Sequence, residues 1–155
     1  MKIARCFAFV GPYLPLDANY AIGNFIGHVL NETPLRIEGD GTPYRSYLYA
    51  SDLVIWLWTI LFRGVSGRAY NVGSEEAISI SALAAHTARA ASPELLVTIG
   101  KKAVPSLPPQ RYVPSTARAR QELGLAETVD LPEGIARTIG WHRWISEQGG
   151  IRVCP

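Results

Sequence analysis

Residues 39–52 read GDGTPYRSYLYASD, and this stretch decides the fold. Gly39-Asp40-Gly41 is a turn signature, because glycine takes positive φ at no steric cost. Arg45 to Tyr49 alternates and carries two aromatics, which predicts a strand. Ser51 and Asp52 are N-cap residue types directly before the apolar run LVIWLWTILF, so a helix is predicted from Ser51 to Phe62. Turn, strand and helix start are thus packed together, with Arg45 at the head of the strand. Its guanidinium is a planar fork of donors that suits phosphate oxygens. A surface ion-pairing role is the other reading of the same residue.

Working upstream, Lys2 to Val10 is a near-continuous apolar run, as in a parallel strand covered on both faces. Gly11-Pro12 ends it, and Tyr13 to Asn19 is a loop. Tyr20 to Leu30 places Ile22, Phe25, Ile26, Val29 and Leu30 on one helical stripe, with Asn19 as the cap. Pro34 to Glu38 is a short strand leading into the central turn. Past Asp52 the predicted helix has Thr59 as its one polar residue up to Phe62, which predicts burial on every side.

Working downstream, Ala69 to Gly73 is a strand followed by a Ser-Glu-Glu turn. Ser79 to Ala91 is a helix capped by Ser79 or Ser81, with Ile80, Leu83, Ala84 and Ala88 inward. Glu94 to Ile99 has β character. Lys101 to Pro109 carries three prolines and is irregular. Arg111 to Pro114 is a brief edge strand. Ser115 caps a helix that runs through Glu122 and stops at Gly124. Asp130, Pro132 and Glu133 mark the start of a last helix with Ile135, Ile139 and Trp144 on its stripe. Residues 1–148 form one unit, and 149–155 form a tail.

The chain has 155 residues, 48% of them apolar, enough for one core. A net charge of +2, scattered along the chain, argues against nucleic acid as a partner. Cys6 and Cys154 lie near opposite ends, so no disulfide framework is expected. His28, His86 and His142 stand apart from one another, so no metal site is expected. No charged-then-apolar leader opens the chain, and Leu53 to Phe62 is too short to span a bilayer. No membrane association is expected, and a cytoplasmic location follows.

The segment 39–52 resembles the G-D-G-x-x-x-R-D-Y/F-V/I-Y/H-V-x-D stretch of the extended short-chain dehydrogenase/reductase family, the NAD-dependent nucleotide-sugar epimerases and dehydratases. Residues 5–12, RCFAFVGP, resemble its R-x-F-N-x-Y-G-P strand and turn. Residues 67–73, GRAYNVG, resemble its G-x-x-Y-N-I/V-G strand. The region from Ser115 to Trp144 resembles its ending, D-x-x-K/R-x-x-x-E-L-G-W/L followed by a last helix carrying a tryptophan. These motifs match only the second half of such an enzyme.

The resemblance implies an α/β fold: some strands of a Rossmann-type sheet plus the small C-terminal substrate-binding lobe. It implies a nucleoside-diphosphate sugar as ligand, with Arg45 on the diphosphate and Tyr47 beside the nucleotide. It implies a second arginine on the diphosphate, Arg111, with Arg118 as competitor. Asn24 would be a ligand contact or a solvated asparagine. Asp52 reads as a helix cap, and Tyr47 equally as packing.

Two departures from the family stand out. Ala8 occupies the position where the family carries asparagine, so one polar contact is lost. Ser115 occupies the position of an aspartate.

NAD or NADP is the cofactor that the family implies. The sequence given has no G-x-x-G-x-x-G turn and no Tyr-x-x-x-Lys pair, so neither cofactor binding nor catalysis is expected of it alone. The expected partners are a missing N-terminal half or a second chain, and self-association through the uncovered strand and helix. Two further readings stay open: a non-enzymatic nucleotide-sugar-binding module, and a relative that acts on a non-nucleotide substrate.

Overall fold

The strand predicted over Lys2–Val10 forms as two, because it changes partners part-way. In the computed structural model, which describes residues 1–18, 20–91, 93–104, 106 and 108–149, β1 (Ile3–Cys6) pairs in parallel with β6 (Ala69–Val72). β2 (Phe9–Val10) pairs in parallel with β5 (Leu48–Tyr49). The hand-over is continuous. Phe7 N–H still donates to the Val72 carbonyl (3.0 Å), while the Ala8 carbonyl already accepts from Leu48 N–H (3.0 Å).

The strand predicted over Arg45–Tyr49 divides in the same way. β4 (Tyr44–Arg45) is central in a three-stranded sheet between β7 (Ile78–Ser79) and β9 (Arg111–Tyr112), antiparallel to the first and parallel to the second. From Leu48 the chain pairs with β2 instead. A last parallel pair joins β3 (Leu35–Ile37) to β8 (Val97–Ile99). The helices are α1 (Ala21–Leu30), α2 (Ala50–Arg63), α3 (Ile80–Arg89), α4 (Ala117–Leu123) and α5 (Leu131–Glu147). The fold is mixed α/β with short parallel strand pairs.

The β2–β5 pair separates two apolar cores. Val10, Tyr47 and Tyr49 face a core built by α1, α3, α5 and β3, and Ala8 packs against its edge. Phe9 and Leu48, one residue out of phase, face a core of Trp56, Ile60, Tyr70, Val72, Ala119 and Leu123. Side chains alternate across a strand, so a wall buried on both faces must be apolar at every position. Gly11 follows this wall at a point where a Cβ would lie 2.4 Å from Ala50 Cβ, so only glycine lets α2 start there.

The prediction that α2 is buried all round is corrected. Only the row Asp52, Trp56 and Ile60 is buried, against β5, β6 and α4. Trp58 and Phe62 are 56% and 73% exposed and stack at 5.4 Å, and Val54, Ile55 and Leu61 are exposed beside them. An apolar composition indicates that cover is wanted without supplying it, and no described residue packs on that side. β1 shows the same condition: Ala4, Arg5 and Cys6 are exposed, against the buried run that was expected.

Three caps also differ from expectation. α2 starts at Ala50, with Tyr49 at the N-cap position, so Asp52 caps nothing on its own helix. It sits buried in the first turn and accepts from Thr128 N–H (2.9 Å), Thr128 Oγ1 (2.5 Å) and Val129 N–H (3.2 Å). α4 has Thr116, and not Ser115, at its N-cap. Thr116 N–H and Oγ1 both donate to Glu75, which reaches across from another segment. For α1 the N-cap position falls on Tyr20, and the expected cap Asn19 lies outside the described residues.

Other local signals hold. Ser79 Oγ accepts from Ala82 N–H at the start of α3, and Asp130 Oδ1 accepts from Glu133 N–H at the start of α5. Gly124 ends α4 at φ 67. Trp144, predicted inward on α5, is exposed. Of the expected tail, residues 150–155, including Cys154, lie outside the described residues.

Candidate functional site

Residue parity in the β7–β4–β9 sheet sets where the arginines point. Directly paired residues share a face. Arg45 pairs with Ile78 on one side and Tyr112 on the other, while Tyr44 pairs with Ser79 and Arg111. Ile78 packs against the first core, so Arg45 and Tyr112 lie on the inner face and Arg111 on the outer one. The cation–π contacts follow this parity. The Arg45 guanidinium carbon lies 6.0 Å from the Tyr112 ring centroid, and that of Arg111 lies 5.5 Å from the Tyr44 ring. The structure therefore does not bring Arg45 and Arg111 to one point.

Beside Arg45 runs a cleft of about 200 Å³ at the β2–β5 wall, lined by Phe7, Ala8, Leu14, Tyr20, Ile22 and Tyr47 among others. Phe7 links the two features, since its ring lies 4.9 Å from that of Tyr112. Burial pushes the Tyr47 phenol up to about 12, with the Arg45 charge pulling the other way, so at neutral pH it is a protonated donor. Arg45 has no carboxylate partner among the described residues. Its Nη1 donates to the Tyr44 carbonyl (2.8 Å), which holds the fork and leaves its other donors free. Ala8 gives the cleft wall a methyl group and no hydrogen-bonding group.

The loop after β2 roofs this cleft. Tyr13 adopts φ 63, a left-handed conformation uncommon for a non-glycine residue. Its ring rests on Trp141 at 4.6 Å, and Trp141 meets His142 edge-on at 4.8 Å. His142 is half-buried, its Nε2 has no partner, and burial lowers its pKa from the ordinary 6.5, with the Leu14 backbone pulling the other way.

Asn24 lies elsewhere. It lines a separate groove with Arg36, Glu38 and Gly39. In the amide orientation that satisfies its partners, it donates to the carbonyls of Leu16 (3.1 Å) and Ala18 (2.7 Å). These bonds tie the roof loop to α1. Phe7 and Tyr20 in the cleft, and Tyr112 beside Arg45, are residues that sequence reasoning passed over. The alternation of aromatic and basic residues at 111–112 was the available signal for Tyr112.

The nicotinamide cofactor of the resembled family needs a strand, a glycine-rich turn and a helix in succession, so that backbone amides reach a pyrophosphate. No such unit occurs among the described residues, and the arrangement present does not fit that group. No three His, Cys, Asp or Glu side chains gather among them either. None of their helices is long and apolar enough to cross a membrane.

Comparison with known proteins bears on the fold and the motifs. The NAD dependent epimerase/dehydratase family profile matches residues 1–73. UDP-glucuronic acid decarboxylase 1 of Arabidopsis thaliana is 28% identical over 143 residues, which are 92% of this chain and 32% of that protein. The epimerase Mth375 of Methanothermobacter thermautotrophicus superposes with a TM-score of 0.81 at 27% identity, covering 95% of this chain and 44% of its own. A Bacillus cereus UDP-glucuronic acid 4-epimerase variant, in complex with UDP-4-deoxy-4-fluoro-glucuronic acid and NAD, superposes with a TM-score of 0.76 at 25% identity, covering 92% and 45%. The chain spans less than half the length of each. Fold and motifs together point one way: this chain is similar to a portion of the NAD-dependent epimerases and dehydratases of the extended short-chain dehydrogenase/reductase family.

Proposed function

We propose that this chain is the nucleotide-sugar-binding portion of an NAD-dependent sugar epimerase or dehydratase. The observation that supports it most is the position of Arg45. It lies on the inner face of β4, beside Tyr112 and the Phe7–Tyr47 cleft, without a carboxylate partner among the described residues. A guanidinium there can take two phosphate oxygens at once. The apolar cleft takes the less polar faces of the attached groups, and the Tyr47 hydroxyl serves as a donor. The relatives' substrates name the ligand class: UDP-linked sugars in the decarboxylase and in the B. cereus complex.

On this reading the chain alone binds and does not turn over. The sequence given carries no Tyr-x-x-x-Lys pair, so no side chain is set up to move the sugar hydroxyl proton while a nicotinamide exchanges hydride. The complement is an N-terminal half, on the same or another chain. Ala8 favours a second reading, a relative whose substrate is not a nucleotide, because the cleft wall there is apolar.

Calorimetric titration with UDP, UDP-glucose and glucose separates the two. Binding of UDP that Arg45→Ala weakens supports the first reading. Sugar binding without UDP binding supports the second. Tight stoichiometric binding of NAD to this chain contradicts the expectation that it holds no cofactor alone.

A further inference from the structure

A second basic concavity lies away from the Tyr47 cleft, on the open face of the β1–β6 pair. Arg5 and Asn71 are directly paired across that ladder and so share a face. Together with Ser115 and Arg118 they line a concavity of about 370 Å³, which also includes Ala69 and Ala117. Two of the four polar side chains are held in place. Arg118 Nη1 donates to the Ala69 carbonyl (2.7 Å), and Asn71 Nδ2 donates to the Ser115 carbonyl (2.8 Å).

No carboxylate lines this concavity. Among the described residues neither Arg5 nor Arg118 has an ion-pair partner, although five other arginines do. Glu75, which reaches the start of α4 from the segment after β6, is already engaged by Thr116 and by Arg120 (3.6 Å). The sequence resemblance adds one point: Ser115 stands where the family motif carries an aspartate. Two guanidiniums thus face a place from which the chain's own negative charge is missing.

We propose that this concavity is an oxyanion site for a phosphate group, held by the Arg5 and Arg118 guanidiniums and the Ser115 hydroxyl. Unpaired guanidiniums with a hydroxyl donor beside them match tetrahedral oxygens, and the concavity has no broad apolar wall for a larger organic body. The site is separate from the Arg45 cleft and stands or falls independently of the nucleotide-sugar reading.

The test is thermal unfolding of the 155-residue chain in chloride buffer at fixed ionic strength, titrated with inorganic phosphate and, in a second arm, with a nucleoside monophosphate. A ligand that binds only the folded state raises Tm along a saturating curve. The expected result is a saturable rise in both arms, weakened about tenfold in apparent affinity by Arg5→Gln or Arg118→Gln and lost in the double variant. A rise with the monophosphate alone places the ligand elsewhere and overturns the proposal.

Ser115→Asp supplies the missing carboxylate. It raises Tm without phosphate and abolishes the phosphate response. Should the double arginine variant fail to fold, a phosphate response undiminished in Ser115→Asp overturns the proposal by itself. So does the absence of any response in the unmodified chain. A response lost in Arg45→Ala but kept in Arg5→Gln assigns the anion to the cleft, and likewise overturns it.

Discussion

Arg45 and Tyr112 are directly paired on neighbouring parallel strands, and the Arg45 guanidinium lies over the Tyr112 ring, 6.0 Å from its centroid. Arg111, one residue earlier, is carried to the opposite face by the pleat. Arg45→Ala should therefore cost about 2–4 kcal/mol of nucleoside-diphosphate affinity, and Arg45→Lys only somewhat less, because a point charge does not reproduce the fork. Arg111→Ala should cost under about 1 kcal/mol. Calorimetry at one ionic strength makes the comparison. An Arg45→Ala chain that binds UDP as well as its parent returns Arg45 to the role of a surface residue.

Tyr112 bears on the same measurement in a different way. Its ring lies between Arg45 and Phe7, at 4.9 Å from the latter. Tyr112→Leu should weaken UDP binding about three- to tenfold by freeing the guanidinium, and Tyr112→Phe should restore it, since the face of the ring and not its hydroxyl makes the contact. Failure of Phe to rescue would show that the hydroxyl matters instead.

Asp52 joins the start of α2 to the start of α5 through three hydrogen bonds. Asp52→Ala leaves two backbone N–H groups and the Thr128 hydroxyl without their acceptor, that of Val129 in a buried position, and should destabilise the chain by about 2 kcal/mol in urea unfolding. Asp52→Asn retains one acceptor oxygen and should cost less. A helix-capping role alone would make the cost of the alanine variant about 1 kcal/mol.

His142 gives the roof loop a pH dependence. Its pKa is lowered in the folded state, so the unfolded chain takes up the proton first as pH falls. Stability from this residue is complete above 6.5, the unfolded value, and is lost as pH drops through the folded pKa. His142→Leu should flatten the decline in Tm just below that pH while leaving Tm at pH 8 within a few degrees. An unchanged slope would place the titration on other groups.

The exposed row on α2 should drive association. Trp58 and Phe62 stack in solvent with Val54, Ile55 and Leu61 beside them. Phe62→Glu with Trp58→Lys should lower the apparent mass in light scattering and reduce binding of a dye for apolar surface. A parent chain that is already a monodisperse monomer with low dye binding would contradict this.

What the sequence made legible was local. Ser79 and Asp130 cap within three residues of themselves, and Gly124 stops its helix where it stands, so residue type was enough. Strand partners were not legible. The run Lys2–Val10 reads as one strand because nothing in it records that β6 pairs with its first half and β5 with its second. Asp52 looked like a cap because its true donors are in Thr128 and Val129, far along the chain. Arg111 looked like a partner for Arg45 because the face of a residue depends on register, which appears only once β4 and β9 are paired. Burial of α2 was inferred from composition alone, which cannot say whether a neighbour is there.

The β2–β5 wall, with Ala8 and Tyr47 on one side and Phe9 and Leu48 on the other, makes the ligand cleft answerable to residues it never touches. A change on the far side, such as Trp56→Phe or Ile60→Val, would be transmitted through two strands only two residues long. Binding strength in the cleft is then a gauge of how well the opposite core is filled, and mutations selected for ligand preference can be expected to accumulate there as readily as beside Arg45.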